Sequence, residues 1–257
     1  MKLPCRLKSI ADAVCSGKEL IKNDAAFDSR EIVLLDIGTD HAYLPIYLYK
    51  KEIVNKCILA DLRKGPVDNA KTNWEKNLGK VADARQGNGL SVISEGEADI
   101  ITISGIGGIE IATIIESGYS KLKMGQVLIV QPQSKFGIVR KSILSHGMAI
   151  ISEKLAFEKD NITPVILAFL DRNGSYSRVA SLQKEACARI LPVDFGFELP
   201  PWYFEDGSFL PAIELERKKN LAIIASINAT KQISSNKMKE AYDVATEKIN
   251  YINQHLK

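Results

Sequence analysis

The chain has 257 residues, 46% hydrophobic and 25% charged, with a formal net charge of +3. That length buries a sizeable core in one large domain, or in a medium domain with an appendage. No window reaches the roughly 18 unbroken apolar residues of a membrane helix, and so weak a positive charge permits nucleic-acid binding without arguing for it.

The start, MKLPCRLKSIADAV, lacks a signal peptide's apolar core and carries Asp12 inside it, so export is not expected. Cys5, Cys15, Cys57 and Cys187 are scattered, with no C-x-x-C pair and no metal-ligand spacing. They read as reduced thiols of a cytoplasmic protein without a metal.

In chain order, Leu3, Leu7, Ile10 and Val14 predict an amphipathic helix over Leu3–Val14, followed by a polar connection from Gly17 to Arg30. Strands are then expected at Ile32–Ile37, Lys56–Ala60, Val81–Gln86, Asp99–Ser104 and Gln126–Val130. Helices are expected at His41–Lys50, Pro66–Leu78, Ile109–Ser117 and Phe136–Ser145. Strands Met148–Ala156 and Val165–Leu170 follow with no helix between them, only a short loop around Asp160–Pro164. Alternation of strand and helix implies an α/β fold, a mostly parallel sheet covered on both faces. The last two strands should close it as an antiparallel hairpin, an ending typical of Rossmann-like methyltransferases and unusual in nicotinamide-binding folds.

After Arg172 the character changes, which divides the chain into domains 1–172 and 173–257. DRNGSYSR reads as a linker-like turn, and LPVDFGFELPPWYFEDGSFLP as irregular but too apolar for disorder. Two helices should follow. The first carries Ile213, Leu221, Ile224 and Ile227. In the second, Met238, Tyr242, Ala245, Ile249, Ile252 and Leu256 recur at steps of four and three, a heptad seam that suits a helical hairpin or a coiled-coil dimer equally.

The loop after the first strand, DIGTDHAYLP, has one glycine where a dinucleotide turn has three. Asp36 and Asp40 would repel a pyrophosphate. They would attract a ligand with a cationic centre and an ammonium, as S-adenosyl-L-methionine has. Asp40 can alternatively cap the next helix. Asp61, closing the second strand, can accept both hydroxyls of a ribose, or be a plain loop aspartate. In RQGNGL, Gly87 and Gly89 let the backbone approach a flat base and Asn88 offers an amide to an adenine edge, although the same residues make an ordinary Asn-Gly turn. SGIGG, with Gly105, Gly107 and Gly108, opens a helix. It presents no side chain to grip an exocyclic amine, and suits a ring nitrogen whose lone pair needs positioning more than a base.

Taken together, RLKSIADAV, DIGTDHAYLPIYL, DLRKGPVDNAK, RQGNGL, SGIGG, VQPQS and EKDNITPVI resemble, in order, the bacterial tRNA (adenine-22, N1)-methyltransferases. The resemblance spans about Leu3 to Leu170 and implies S-adenosyl-L-methionine as methyl donor, an adenine of tRNA as acceptor, and a C-terminal helical domain that helps to hold the tRNA. It implies that Asp36, Gly38, Asp40 and His41 bind the methionine end, Asp61 the ribose, and Asn88 with Gly87 the adenine. Gly105 and Gly108 would border the reacting methyl. Asp40, His41 and Gly105 are the expected catalytic set, and Gln131, Pro132 and Gln133 the lining of the base pocket. Arg6 and Lys8, with Arg217, Lys218, Lys219, Lys231, Lys237 and Lys239, are candidate phosphate contacts. Two departures stand out. Ile106 replaces the family's usual methionine in the glycine loop, and Thr163-Pro164 stands where a Tyr-Glu pair is usual, so no ring is available there to stack on a base. The competing readings are a non-catalytic or differently targeted RNA protein that binds the same cofactor, and a nicotinamide-dependent oxidoreductase.

Overall fold

The computed structural model describes residues 2–23, 31–158, 161–171, 175–192, 194–230 and 235–256. They form two compact units, Met1–Gln183 and Lys184–Lys257.

The first unit is built on seven strands: β1 (Val33–Ile37), β2 (Lys56–Asp61), β3 (Asp83–Gln86), β4 (Ile100–Ile106), β5 (Gln126–Pro132), β6 (Ala149–Glu158) and β7 (Asn161–Leu170). Their order is β3-β2-β1-β4-β5-β7-β6. The first five are parallel, and β7 runs antiparallel to both β5 and β6. Helices α2 (Tyr43–Lys50), α3 (Lys64–Leu78), α4 (Gly108–Gly118) and α5 (Phe136–Ser145) make the crossovers. The core is aliphatic, with Leu34, Leu35, Leu59, Ile100, Ile101, Ile103, Ile129 and Val130 almost wholly buried. Such continuous burial of strands is what a sheet covered on both faces requires. Among the described residues no helix is long and apolar enough to cross a membrane.

Three elements differ from expectation. The first helix, α1, runs from Cys5 to Lys22, through Gly17 and beyond the expected end at Val14. Gly17 is a helix residue because α1 lies against β5, where a Cβ would come 2.7 Å from Val127 Cγ1. Val81 is 87% exposed and lies outside β3. Thr163 and Pro164 belong to β7, paired with Ala156 and Leu155, not to a loop. Pro164 lies beyond the β5–β7 ladder, which ends at the Val130–Ile166 pair, so its missing N–H is tolerated. Lys159 and Asp160 fall outside the described residues, as does Lys231.

The stretch read as a turn opens instead into α6 (Ser175–Ala188). Gln183 on this helix exchanges two hydrogen bonds with the backbone of Ile150 on edge strand β6, at 3.0 and 2.8 Å. The division between the units therefore falls after Gln183, later in the chain than Arg172.

The second unit contains α7 (Phe195–Glu198), α8 (Leu210–Ala229) and α9 (Asn236–His255). The α9 seam turns inward: Ala245, Ile249 and Ile252 are buried, with Met238, Tyr242 and Leu256 half-buried along the same stripe. On α8 the inward stripe is Ile213, Asn220, Ile224 and Ile227, while Leu221 is exposed. Asn220 is accepted in an apolar stripe because its amide donates to Glu216, to the carbonyl at 2.8 Å and the carboxylate at 3.0 Å. Tyr203 and Phe209 stack at 4.0 Å beneath the hairpin.

Candidate active site

The strand order reverses between β1 and β4, so the loops that follow these strands face one another at the carboxyl edge, where open α/β sheets bind ligands. The approach is close. Gly38 has φ +81°, and a Cβ there would lie 3.4 Å from Ser104 O. Gly105, across the switch point, has φ +79°. Asp40 (φ 29°) and Ala42 (φ 52°) also adopt left-handed conformations, uncommon for residues with a Cβ. Backbone strain of this kind concentrates at functional sites.

Asp36 lies one residue before the end of β1 and is buried. Thr102 on the adjacent strand donates to its Oδ1 at 2.6 Å. Burial pushes the carboxyl up to about 6, although Thr102, Thr39 and the Arg6 charge pull the other way. Thr39 Oγ1 is itself buried and has no partner in regular hydrogen-bond geometry. Asp40 and His41 lie side by side, Oδ2 to Nε2 at 3.5 Å, each about half exposed. Asp40 makes no side-chain cap to α2, whose N-cap is Ala42, so the capping alternative is not realised. His41 is fixed instead by its neighbours: Asn73 donates to its carbonyl at 2.6 Å, and Tyr43 stacks on its ring at 5.3 Å. Tyr43 is 45% exposed. In the sequence Tyr43 reads as a plain helix residue, although an aromatic at the start of a helix beside the switch-point loop is a readable signal.

Asp61 is buried at the end of β2, with Oδ1 accepting from the Arg63 backbone N–H at 2.9 Å. Leu62 beside it is 63% exposed. Asn88 is exposed beyond β3 on the same edge. Its flanking glycines have packing reasons of their own: a Cβ would come 2.6 Å from Val92 at Gly87 and 2.7 Å from Ile114 at Gly89. Gly108 likewise answers to its neighbours, since a Cβ there would lie 2.2 Å from the backbone oxygen of Ser134 and 2.6 Å from that of Lys135. That glycine lets the β5–α5 loop cross the start of α4.

On the β5 side, Gln131 is completely buried, Pro132 is buried and Gln133 exposed. Arg6, near the start of α1, reaches over this corner. Its Nε meets Glu158 at 3.0 Å and its Nη1 donates to Gln131 Oε1 at 3.1 Å. Lys8 is turned aside, bonded to Asp12 on its own helix. In the second unit, Arg217 pairs with Glu214 at 3.5 Å and Lys219 with Glu216 at 3.5 Å, while Lys218, Lys237 and Lys239 are exposed.

The structure thus brings Asp36, Gly38, Asp40, His41, Asp61, Asn88, Gly105, Gln131 and Gln133 to the carboxyl edge of the sheet. The site is acidic on the β1–β2 side and carries the amides of Gln131 and Gln133 at the end of β5. The pairing of Thr102 with Asp36 and of Thr163 with Gln131 is not legible in the sequence, because each joins residues far apart in the chain.

A methyltransferase-domain family model matches residues 19–166. The tRNA (adenine(22)-N(1))-methyltransferase of Bacillus subtilis (strain 168) is 35% identical over 182 residues, covering 70% of this chain and 71% of that protein. The crystal structure of the B. subtilis M1A22 tRNA methyltransferase TrmK aligns with a TM-score of 0.77 at 27% identity, over 100% of this chain and 99% of that one. The M. capricolum TrmK, solved in complex with S-adenosyl-homocysteine, shares the fold with a TM-score of 0.72 at 22% identity, over 100% of each chain. At that identity and coverage the chain belongs to the tRNA (adenine(22)-N(1))-methyltransferase family.

Proposed function

We propose that the protein transfers a methyl group from S-adenosyl-L-methionine to ring nitrogen N1 of adenine 22 in tRNA. The observation that carries this reading is the charge of the switch-point edge. Asp36, Asp40 and Asp61 converge there around a single close-approach glycine, Gly38. A dinucleotide's pyrophosphate would be repelled, whereas a sulfonium and an α-ammonium are stabilised. The second oxygen of Asp61 offers a further polar contact. The residues present therefore fit the cofactor.

When bound, S-adenosyl-L-methionine supplies an electrophilic methyl group. Adenine N1 carries its own lone pair, so no residue needs to remove a proton before transfer. The work left to the protein is orientation and charge. Asp36 and Asp40 hold the methionine end, Asp61 the ribose, and Asn88 the adenine edge beside the apolar face of Leu62. Gly105 admits the acceptor ring close to the methyl. His41, braced by Tyr43 and Asn73, orients that ring, and the Asp40 carboxylate stabilises the positive charge that it gains. Gln131, Pro132 and Gln133 wall the acceptor side.

The test pairs binding with turnover. S-adenosylhomocysteine should bind in calorimetry and NAD should not. Asp40→Ala should lower kcat on a tRNA transcript by about 100-fold, the scale of losing one preorganised electrostatic group, with an unchanged melting temperature. NAD binding without S-adenosylhomocysteine binding, or near-normal turnover of the variant, would contradict the reading.

A further inference from the structure

We propose that Thr163 is a positioning residue of the acceptor site, holding the side-chain amide of Gln131 in the one orientation that supports the Gly105 loop. This rests on the functional reading above.

The amide is completely buried at the end of β5, and the groups around it leave no choice of orientation. Its Oε1 receives the Gly105 backbone N–H at 3.2 Å and Arg6 Nη1 at 3.1 Å, and neither of these can accept. Gln133 Nε2 also reaches it, at 3.2 Å. Its Nε2 faces the Pro132 carbonyl, which cannot donate, at 3.2 Å. The remaining Nε2 hydrogen goes to Thr163 Oγ1 at 2.9 Å, a hydroxyl that is itself buried. This is the shortest of the five contacts and the only one made with β7.

The amide therefore works as a bracket. One end is anchored on β7 through Thr163. The other grips Gly105, an exposed residue held at φ +79° where the reacting groups meet. It also takes up Arg6, whose Nε is bound to Glu158 at the far end of β6. Removing the hydroxyl leaves a buried N–H with only the adjacent carbonyl, and that frees the amide to turn away from Gly105. Position 163 thus acts without touching a base. This gives a purpose to the threonine that replaces an aromatic ring in the resemblance described above.

Thr163→Val keeps the shape and removes the acceptor. It should lower kcat by about tenfold, with KM for S-adenosyl-L-methionine within about twofold of the parent, as expected when a reacting group is misplaced but not lost. Amide hydrogen exchange at Gly105 should accelerate in the same variant. Thr163→Ser should restore both. Gln131→Leu should reproduce both effects, and adding Thr163→Val to it should cost nothing more, because the two residues act as one unit. Unchanged kcat and Gly105 exchange in Thr163→Val would overturn the proposal, as would failure of the serine variant to rescue. A parent protein that transferred no methyl group would instead refute the functional reading, and the Gly105 exchange rates would still decide the role of Thr163.

Discussion

Asp36 costs stability to keep. Its carboxyl is raised from 3.8 to about 6, chiefly by burial. Between those values the unfolded chain ionises while the folded one retains its proton. Stability should therefore fall as pH rises from about 4 to about 6, and the full penalty, about 3 kcal/mol by linkage, should persist at neutral pH. Asp36→Asn should remove this pH dependence and stabilise the protein at pH 8. The same change should weaken S-adenosylhomocysteine binding, while binding to the parent tightens as pH rises through about 6. Denaturant melts and calorimetry across pH 4–8 check both halves. A buried, destabilising carboxylate is a mark of function. The glycines divide in the same spirit. Gly38 and Gly105 are needed for left-handed backbone at the site, Gly87 and Gly108 because a neighbour occupies the space of a Cβ, and Gly89 (φ +56°) for both reasons. That distinction is invisible in the string RQGNGL or SGIGG.

At the scale of elements, α1 shows how a tertiary contact overrides a local signal. Gly17 reads as a helix end, yet it lets the helix press on β5. Gly17→Ala should gain about 1 kcal/mol in helix propensity. It should lose about 1–3 kcal/mol by overpacking against stiff, buried Val127. The net effect expected in chemical denaturation is destabilisation, and a more stable variant would refute the packing account. The strands β1, β2, β4 and β5 were legible because each is a short apolar run, and the antiparallel ending followed from the missing helix. The extent of α1 and the existence of α6 were not, because a glycine in one and a polar composition in the other masked them. Of the site, the acidic loop and Asp61 could be read directly from residue type and place. The Arg6–Gln131–Thr163 connection could not, since it joins three elements distant in sequence.

At the scale of the whole molecule, 34 Lys and Arg are nearly balanced by 31 Asp and Glu, so which cations lie beside a carboxylate matters for RNA binding. Several basic residues of the second unit are engaged by their own neighbours, among them Arg217, Lys219 and Lys248, the last with Glu216 at 3.8 Å. We propose Lys218, Lys237 and Lys239, all exposed, as phosphate contacts. Replacing all three with Gln should weaken tRNA binding and flatten its dependence on log salt by about 0.9 per lost contact. S-adenosylhomocysteine affinity should not change. Filter binding between 50 and 200 mM salt reads this directly, and an unaltered slope would remove these residues from the interface.

The acidic switch-point edge should deliver a methyl group to one ring nitrogen. Reaction of the protein with labelled S-adenosyl-L-methionine and unmodified tRNA, followed by mass-spectrometric mapping of the modified nucleotide, tests it most directly. The expected result is a single methyl group on N1 of adenine 22, and no incorporation into a transcript with another base at that position. A methyl group on a different atom or nucleotide, or none despite S-adenosylhomocysteine binding, would contradict it.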